Sequence, residues 1–377
     1  MTTAPNAYAL AGVDVDVEAE ASRIMYEASK RTWANRKGRI GEIVVPFDDF
    51  SGIKLIDIGG LPAGSFCNVA ADGDGTKPSA AELLDDQTTL GIDLVAMLAD
   101  DAVQKGAEPG VIVNQIDMKS LGTDSRHLPR IQRAANGLVV GSGKANTAVI
   151  NGELAQLGMR VGGYGEFPFN WSGACLWFVR KDRILTGAKI RAGDLIVLLR
   201  EHGFRCNGFS LVFKILRAAY GEEWHTVPFN GSTLGALVLT PSTIYTRAII
   251  AAHGGFDGEG ECEIHGVAHI TGGGIPEKIG RMLRPTGLGA TVDDPFTMSE
   301  VMRHCQEVGN VSDYDMFRAW NGGQGMAVVA PKSQVDRVIA CANRFGIEAK
   351  VGGEITETPD IRIVSKGVEK SGHVLTF

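Results

Sequence analysis

Short apolar segments with strand composition alternate with longer amphipathic segments along almost the whole chain of 377 residues. Strand patterns such as "PGVIVNQIDM" and "LIVLLR" are followed by helical patterns such as "FSLVFKILRAAY". A chain of this length can form two ordinary domains. The alternation is interrupted only near Leu185–Asp194, by "TGAKIRAGD". The pattern therefore predicts two α/β-type halves of similar size.

The predicted domain organisation has three parts. Residues 1–40 comprise a mobile tail, Met1 to about Tyr8, and an amphipathic helix, Glu18–Trp33. Residues 41–187 form an N-terminal domain that begins with the strand patterns "EIVVPF" and "IKLIDI". Residues 188–377 form a C-terminal domain in which helices cover a mixed sheet.

Charge and composition exclude several classes of protein. The formal net charge of −7 argues against non-specific nucleic-acid binding, which requires a basic face. No apolar run approaches the roughly 20 residues of a membrane span. Six cysteines occur without CxxC spacing, and the chain begins without an apolar signal segment. We therefore expect reduced thiols and a cytoplasmic protein.

The segment "ADGDGTK" places charged, hydroxyl and glycine residues in consecutive positions after a strand. Gly73 and Gly75 permit close approach of the backbone to a ligand, and Lys77 can neutralise phosphate. Asp72 and Asp74 offer the hard oxygen ligands that Mg²⁺ prefers. A metal-free Asp-Gly turn would explain the same composition, so both interpretations stay open.

Three further groups of residues could carry chemistry. Asp100 and Asp101 lie near the end of an apolar helix that also contains Asp93, where carboxylates oppose the helix dipole. They could hold a cation, or they could lie on a solvated helix face. Glu153 follows an apolar strand and a glycine, which could project its carboxylate into a site or form an ordinary turn.

The last group is "HGVAHITGGGIPEKIG". His265 and His269 bracket a strand that enters three glycines and then a helix. Such a helix N-terminus favours an anion. His269 could act as a general acid or base, or it could be a satisfied core residue. Together the four groups suggest a magnesium-dependent, ATP-using enzyme with a second anionic substrate.

Six motifs in one order resemble those of the aminoimidazole ribonucleotide synthetases, also called phosphoribosylformylglycinamidine cyclo-ligases. The similarity runs over nearly the whole chain. The motifs are "AGVDVD", "ADGDGTK", "TLGIDLVAMLADDAVQKGAEP", "CNGFSLVFKIL", "HITGGGIPEKI" and "EVGNVSDYDMFRAWNGGQGMAVV".

The resemblance implies a fold, a reaction and an assembly. Each chain would have two α/β-type domains, and strands of the N-terminal domain would complete a barrel across a homodimer. The enzyme would use ATP and Mg²⁺ to convert formylglycinamidine ribonucleotide into aminoimidazole ribonucleotide, ADP and phosphate, in purine biosynthesis. Its partners would be these small molecules and a second copy of itself, with no nucleic acid and no membrane.

The resemblance also implies roles for particular residues. His269, Lys77 and Arg205 are the catalytic candidates, and by the resemblance His269 would handle a proton. Arg205 replaces a histidine of the family, so its role is a separate hypothesis: it would anchor the ribonucleotide phosphate or the transferring phosphoryl group. Asp72, Asp101 and Glu153 would hold the metal. The residues expected to contact ATP and its phosphates are Asp72, Gly73, Gly75, Thr76, Lys77, Asp93, Glu153, Asn207, Gly208, Thr271, Gly272 and Gly273.

Several positions depart from the family pattern. Asp100 stands at the usual Asn, Asp74 replaces an apolar residue, and Arg205 stands at a histidine of the active cleft. Leu154 and Gln156 replace Thr and Glu after the retained Glu153. These departures leave two alternatives open: another ATP-dependent enzyme of the same superfamily acting on a different small substrate, or a non-catalytic nucleotide-binding paralogue.

Overall fold

The computed structural model of the protein describes residues 13–46 and 52–377. The predicted tail Met1–Tyr8, the start of the "AGVDVD" motif and Phe47 of "EIVVPF" lie outside the described residues. None of the helices in the described part combines the length and hydropathy that a membrane span requires.

The chain divides into two compact units. The units are not continuous ranges, so the predicted domain boundaries, which are continuous, stay predictions. The N-terminal unit comprises Met1–Ala63, Asn68–Leu98 and Pro109–Trp177, and the C-terminal unit comprises Gly64–Cys67, Ala99–Glu108 and Phe178–Phe377.

The strands and helices alternate as the sequence pattern predicts. The strands are β1 (Glu42–Val44), β2 (Leu55–Asp57), β3 (Ser65–Gly73), β4 (Glu108–Met118), β5 (Ala148–Gln156), β6 (Phe169–Arg180), β7 (Leu195–Arg200), β8 (Pro228–Phe229), β9 (Ser232–Thr233), β10 (Gly266–His269), β11 (Gly289–Val292), β12 (Gln324–Ala330), β13 (Ala349–Thr356), β14 (Ile361–Val364) and β15 (Val374–Thr376). The helices are α1 (Val15–Trp33), α2 (Pro78–Leu84), α3 (Leu90–Val103), α4 (Leu128–Ala145), α5 (Phe209–Tyr220), α6 (Leu234–Val238), α7 (Thr246–His253), α8 (Gly274–Leu283), α9 (Glu300–Val308), α10 (Asp313–Ala319) and α11 (Val335–Arg344).

The N-terminal unit is built on a four-stranded sheet of order β3-β6-β4-β5, in which β4 and β5 are parallel. Helix α1 packs against α4 and β5. Its last turn is tied to β5, because Trp33 Nε1 donates to the Val149 carbonyl at 2.8 Å and Val149 N donates to Thr32 Oγ1 at 2.8 Å. The predicted helix Ser125–Lys144 begins at Leu128, since Pro129 suits only the first turn of a helix.

The C-terminal unit is built on a mixed seven-stranded sheet of order β10-β12-β7-β13-β11-β14-β15. Neighbouring strands are antiparallel except β11 and β14. Helices α7 and α11 pack together, and their apolar faces join those of β7 and β12 in one buried core. The predicted mixed sheet covered by helices is confirmed.

Helix α7 starts later than the pattern "STIYTRAIIAAH" predicts, at Thr246 rather than Ser242. Thr243 explains the difference. Its backbone N–H and hydroxyl donate to the Glu201 carboxylate, and its carbonyl accepts from Arg205. Because these backbone groups are used in a buried charge cluster, the segment before Thr246 does not enter the helix.

Candidate active site

The loop Asp72–Lys77 of the N-terminal unit follows β3 directly and leads into α2. Gly73 lies against β6, where an added Cβ would meet the Trp171 carbonyl at 2.8 Å, so a larger residue does not fit. Gly75 has φ +58°, in the region that favours glycine. Thr76 is exposed and Asp72 is half-buried. The loop thus presents the Thr76 hydroxyl and the Asp72 carboxylate to solvent, whereas Asp74, the other predicted oxygen ligand, is 0% exposed.

Lys77 does not share this exposure. Its ammonium group contacts the Asp93 carboxylate at 2.9 Å, and both side chains are 0% exposed. This buried ion pair ties the end of the loop to α3. It gives both residues a structural role in the fold. Their predicted contact with ATP stays a prediction.

Glu153 is exposed on β5 and lines a groove of about 310 Å³ in the N-terminal unit. Helix α1 contributes Glu18, Ser22 and Tyr26 to its wall. At the C-terminal end of β5, Gln156, one of the departures from the family pattern, donates from Nε2 to Glu18 Oε2 at 2.8 Å. A glutamate at position 156 could not make this bond without protonation, so the substitution matches its neighbour.

In the C-terminal unit, the two glycine-bounded helix starts lie side by side. Helix α8 begins after Gly273, which has φ +89°, and α5 begins after Gly208, which has φ +78°. Neither helix has a side-chain N-cap hydrogen bond. The Asn207 amide nitrogen lies 3.5 Å from where a Cβ on Gly272 would stand. The predicted segments Asn207–Gly208 and Thr271–Gly273 are thus brought together.

This pair of helix starts is suited to an anion. The first N–H groups of a helix have no partner inside the helix, and the helix dipole favours negative charge there. Thr271, Gly272 and Gly273 are all half-buried rather than enclosed. Among the described residues, buried Asn207 Oδ1 has no hydrogen-bond partner. An occupant with both phosphate oxygens and a donor group would satisfy the site.

A buried charge cluster lies beneath these loops in the C-terminal unit, around Arg205. Arg205 Nη1 donates to Glu201 Oε2 at 2.8 Å and to the Thr243 carbonyl at 2.9 Å. Arg205 Nη2 donates to Asp100 Oδ2 at 3.3 Å. All three charged side chains are at most 1% exposed. The alternative of a solvated helix face is therefore wrong for Asp100.

His269 joins this cluster to Asp101. Its Nε2 lies 2.7 Å from Arg205 Nη2, and its Nδ1 lies 2.7 Å from Asp101 Oδ1. The His269 ring is 0% exposed, whereas the Asp101 side chain is 35% exposed. His265, the other histidine of the motif, contacts Asp194 at 2.7 Å, which fits a satisfied core residue.

The pKa values in the cluster follow from burial and charge. Burial raises the pKa of Asp100 to about 7, although Arg205 acts to lower it. Burial acts to lower the pKa of Arg205, but Glu201 and Asp100 raise it above its ordinary value. Burial and the positive charge of Arg205 lower the pKa of His269 to about 4. His269 is therefore neutral near pH 7.

The predicted metal ligands are distributed over both units: Asp72 and Glu153 in the N-terminal unit and Asp101 in the C-terminal unit. Within the described ranges, no group of three or more His, Cys, Asp or Glu side chains could hold a metal alone. Magnesium usually binds through one or two carboxylates together with substrate phosphates. The half-buried or exposed carboxylates of these residues fit that chemistry.

Sequence reasoning missed three buried residues, two in the Arg205 cluster and one in the N-terminal unit. Glu201 and Tyr245 surround Arg205, with the Tyr245 ring 5.4 Å from the guanidinium. Glu82 is buried in the N-terminal unit and accepts from Tyr164 N at 2.7 Å and Phe169 N at 2.9 Å. The position of Glu201 directly after the apolar strand β7 could have indicated a functional carboxylate. The other two carry no local signal.

Comparison with protein families finds two matches that together cover most of the chain. Residues 55–169 match "AIR synthase related protein, N-terminal domain", and residues 191–366 match "AIR synthase related protein, C-terminal domain". Two curated relatives are both named phosphoribosylformylglycinamidine cyclo-ligase. The one from Pyrococcus horikoshii is 30% identical over 96% of this chain and 98% of its own length. The one from Acetivibrio thermocellus is 33% identical over 92% of this chain and 96% of its own length.

Solved structures support the fold. The hydrogenase maturation protein HypE of E. coli matches with a TM-score of 0.62 at 14% identity, over 94% of this chain and 95% of that one. The thiamine-monophosphate kinase of Stenotrophomonas maltophilia matches with a TM-score of 0.59 at 16% identity, over 91% and 96%. At these identities the likeness concerns the fold alone.

Proposed function

The chain belongs to the AIR synthase related protein family, and from this premise we propose that it is an ATP-dependent cyclo-ligase. The proposed reaction closes the imidazole ring of formylglycinamidine ribonucleotide, giving aminoimidazole ribonucleotide, ADP and phosphate. The observation that carries the proposal is the name shared by relatives that are 30% and 33% identical over more than nine-tenths of the chain. The cytoplasmic location stays a prediction.

The proposed chemistry requires charge stabilisation more than a strong nucleophile. An amide oxygen is a poor leaving group, so the γ-phosphoryl group of ATP is transferred to it. An internal nitrogen of the ribonucleotide then attacks the activated carbon, the C–O bond breaks, and the oxygen leaves with the phosphate. The protein has to seat phosphates, orient the ribonucleotide and exclude water.

The two adjacent helix starts support a phosphate seat at Thr271–Gly273. Asn207 next to Gly272 is proposed to orient the ribonucleotide through its unsatisfied amide oxygen. The Asp72–Thr76 loop is proposed to contact ATP through Gly73 and Gly75 as well as the exposed Thr76.

In the N-terminal unit Asp72 and Glu153 are proposed ligands of Mg²⁺, and in the C-terminal unit, considered separately, Asp101 is a proposed ligand. When bound with ATP, the ion would neutralise the negative charge that gathers on the transferring phosphoryl group. The chain's own contribution is to hold the Asp101 side chain ionised. Burial acts to raise the pKa of Asp101, but the hydrogen bond from His269 and the charges of Lys278 and Lys105 lower it below the ordinary value.

A homodimer is part of the proposal. Strand β3 lies at the edge of the N-terminal sheet, and an open edge next to apolar surface favours pairing with another chain. On β3 itself two large apolar side chains are exposed, Phe66 at 50% and Val69 at 61%.

The proposed function is tested by incubating the pure protein with ATP, Mg²⁺ and formylglycinamidine ribonucleotide. We expect ADP and aminoimidazole ribonucleotide to appear in equal amounts. ATP consumption without the ring product would indicate a different small substrate, and binding of ATP without any turnover would indicate a non-catalytic paralogue. Either result would reject the proposal.

A further inference from the structure

The hydrogen bonds of Arg205 leave little of its guanidinium for a ligand. Two N–H groups on Nη1 donate to Glu201 and to the Thr243 carbonyl. Those on Nη2 donate to Asp100 and lie against His269 Nε2. Only Nε–H has no partner among the described residues, and it is buried. A substrate phosphate would have to displace two buried carboxylates to reach this group.

The contact with Arg205 determines the tautomer of His269. A guanidinium can only donate hydrogen bonds, so His269 Nε2 must accept and must carry no proton. The proton of the neutral ring is then on Nδ1, which donates to Asp101 Oδ1 at 2.7 Å. Both ring nitrogens are thereby occupied. The ring can orient Asp101, but it has no free nitrogen with which to take a proton from a substrate.

Asp100 is one of the two buried carboxylates that pair with Arg205. It accepts from Arg205 through Oδ2 and from Tyr245 N and Thr246 Oγ1 through Oδ1, at 3.0 and 2.9 Å. A buried guanidinium beside a single carboxylate and an amide would lack one of its charge partners. Asp100 and Arg205 are also two of the positions that depart from the family pattern, and the structure places them in direct contact.

We propose that Asp100 and Arg205 act as one coupled pair whose role is to position the His269 ring and, through it, the half-buried carboxylate of Asp101. Arg205 is a positioning residue, not a phosphate ligand, and His269 is not the proton-transferring group. This proposal rests on the proposed function for its catalytic meaning, but its two main tests need no substrate.

The first test is a double-mutant cycle on folding stability, using Asp100→Asn, Arg205→His and the double variant. Each single change should destabilise the protein: Asp100→Asn removes one of the two buried carboxylates that accept from Arg205, and Arg205→His leaves Asp100 and Glu201 buried without the guanidinium. Multiplying the effects of the two single changes gives the unfolding constant expected for the double variant without coupling. The measured unfolding constant of the double variant should be at least about tenfold smaller than this product. A single variant that fails to fold while the double variant folds shows the same coupling. Effects that multiply would overturn the proposal.

The matched control is an exposed ion pair in the same unit. Arg344 Nη2 contacts Glu261 Oε1 at 2.6 Å, with the two side chains 50% and 47% exposed. The cycle of Glu261→Gln and Arg344→His should show little coupling, because solvent screens exposed pairs. Coupling as large as that of the buried pair would mean that the cycle does not report on burial.

The second test reads the tautomer directly in the wild-type protein. Nitrogen-15 NMR of ring-labelled histidine, with the His269 signal identified by its absence in His269→Gln, should show a protonated Nδ1 and an unprotonated Nε2 at pH 7. A proton on Nε2 would overturn the proposal. The result does not depend on any variant of Arg205 being folded.

Kinetics separate this proposal from phosphate anchoring. With ATP and formylglycinamidine ribonucleotide, the double variant should lose about tenfold or more in kcat while the KM for the ribonucleotide changes by less than about threefold. A raised KM with an unchanged kcat would show that Arg205 binds substrate. If the wild-type protein has no turnover while the first two tests succeed, the proposed function fails and the coupled pair stands.

Discussion

At the scale of single residues, three of the five departures from the family pattern are matched by their neighbours. Asp100 and Arg205 form an ion pair at 3.3 Å, and Gln156 donates to Glu18 at 2.8 Å. In each case the replacement supplies the charge or the donor that its contact requires. This matching is what an actively maintained site predicts, and it argues against simple loss of function in a non-catalytic paralogue.

The buried carboxyl of Glu82 gives a prediction about pH. Burial raises its pKa from 4.5 to about 7, although hydrogen bonds from Tyr164 and Phe169 act to lower it. Between these two values the folded protein binds more protons than the unfolded chain, so this group's contribution to stability is complete below pH 4.5 and is lost as the pH rises through 7. Chemical unfolding should show that, from pH 5 to pH 8, the free energy of unfolding of the wild type falls by on the order of 2 kcal/mol relative to that of Glu82→Gln.

The control for Glu82 is Glu307→Gln, which alters an exposed glutamate of α9. The difference in the free energy of unfolding between this variant and the wild type should be the same at both pH values. If Glu82→Gln also keeps a constant difference from the wild type, the Glu82 carboxyl is ionised throughout, and the account of its burial is wrong.

At the scale of helices and strands, glycine decides how closely α3 and α4 approach. A Cβ added at Gly91 of α3 would lie 2.1 Å from the backbone nitrogen of Leu138 in α4. Gly91→Ala should therefore force the helices apart and cost about 1–3 kcal/mol in the free energy of unfolding. Gly143 lies on α4 with no heavy atom within 4 Å of an added Cβ, so Gly143→Ala should stabilise the protein by about 0.5–1 kcal/mol.

Denaturant unfolding of both variants checks this pair. Equal effects of the two substitutions would show that helix propensity, and not the close contact between α3 and α4, governs both positions.

Local sequence patterns predicted the positions of helices better than they predicted the contacts between distant residues. Helix α5 spans Phe209–Tyr220, the same residues as the predicted pattern "FSLVFKILRAAY", because an apolar face between Gly208 and Gly221 defines both ends. The start of α7 was predicted wrongly, since Thr243 bonds to Glu201, 42 residues away. The burial of Asp100 depends on Arg205, 105 residues away, and no local pattern carries that information.

For the candidate site as well, the local features were predictable and the long-range contacts were not. Glycine and hydroxyl residues at Thr271–Gly273 identified a helix start suited to phosphate, and the structure places Asn207 beside it. The contacts that occupy Arg205 and His269 come from separate segments of the C-terminal unit, so their roles could be argued only once the fold was known.

At the scale of the whole molecule, the exposed apolar residues around β3 predict a dimer. Sedimentation of the protein at micromolar concentration should give about twice the 40.1 kDa chain mass. Val69→Asp should lower the dimer fraction, because it places a charge on a side chain that is 61% exposed on this surface. Val374→Asp, at an equally exposed apolar residue of β15 in the other unit, 58% exposed, is the control. A monodisperse wild-type monomer would contradict the proposed assembly.

The central claim is that the protein activates an amide oxygen by phosphoryl transfer and then closes a ring. It is tested most directly with formylglycinamidine ribonucleotide labelled with oxygen-18 at the amide oxygen, incubated with ATP and Mg²⁺. The account predicts one aminoimidazole ribonucleotide for each ADP, with the label recovered in the released phosphate. Formation of ADP without the ring product, or release of unlabelled phosphate, would contradict it.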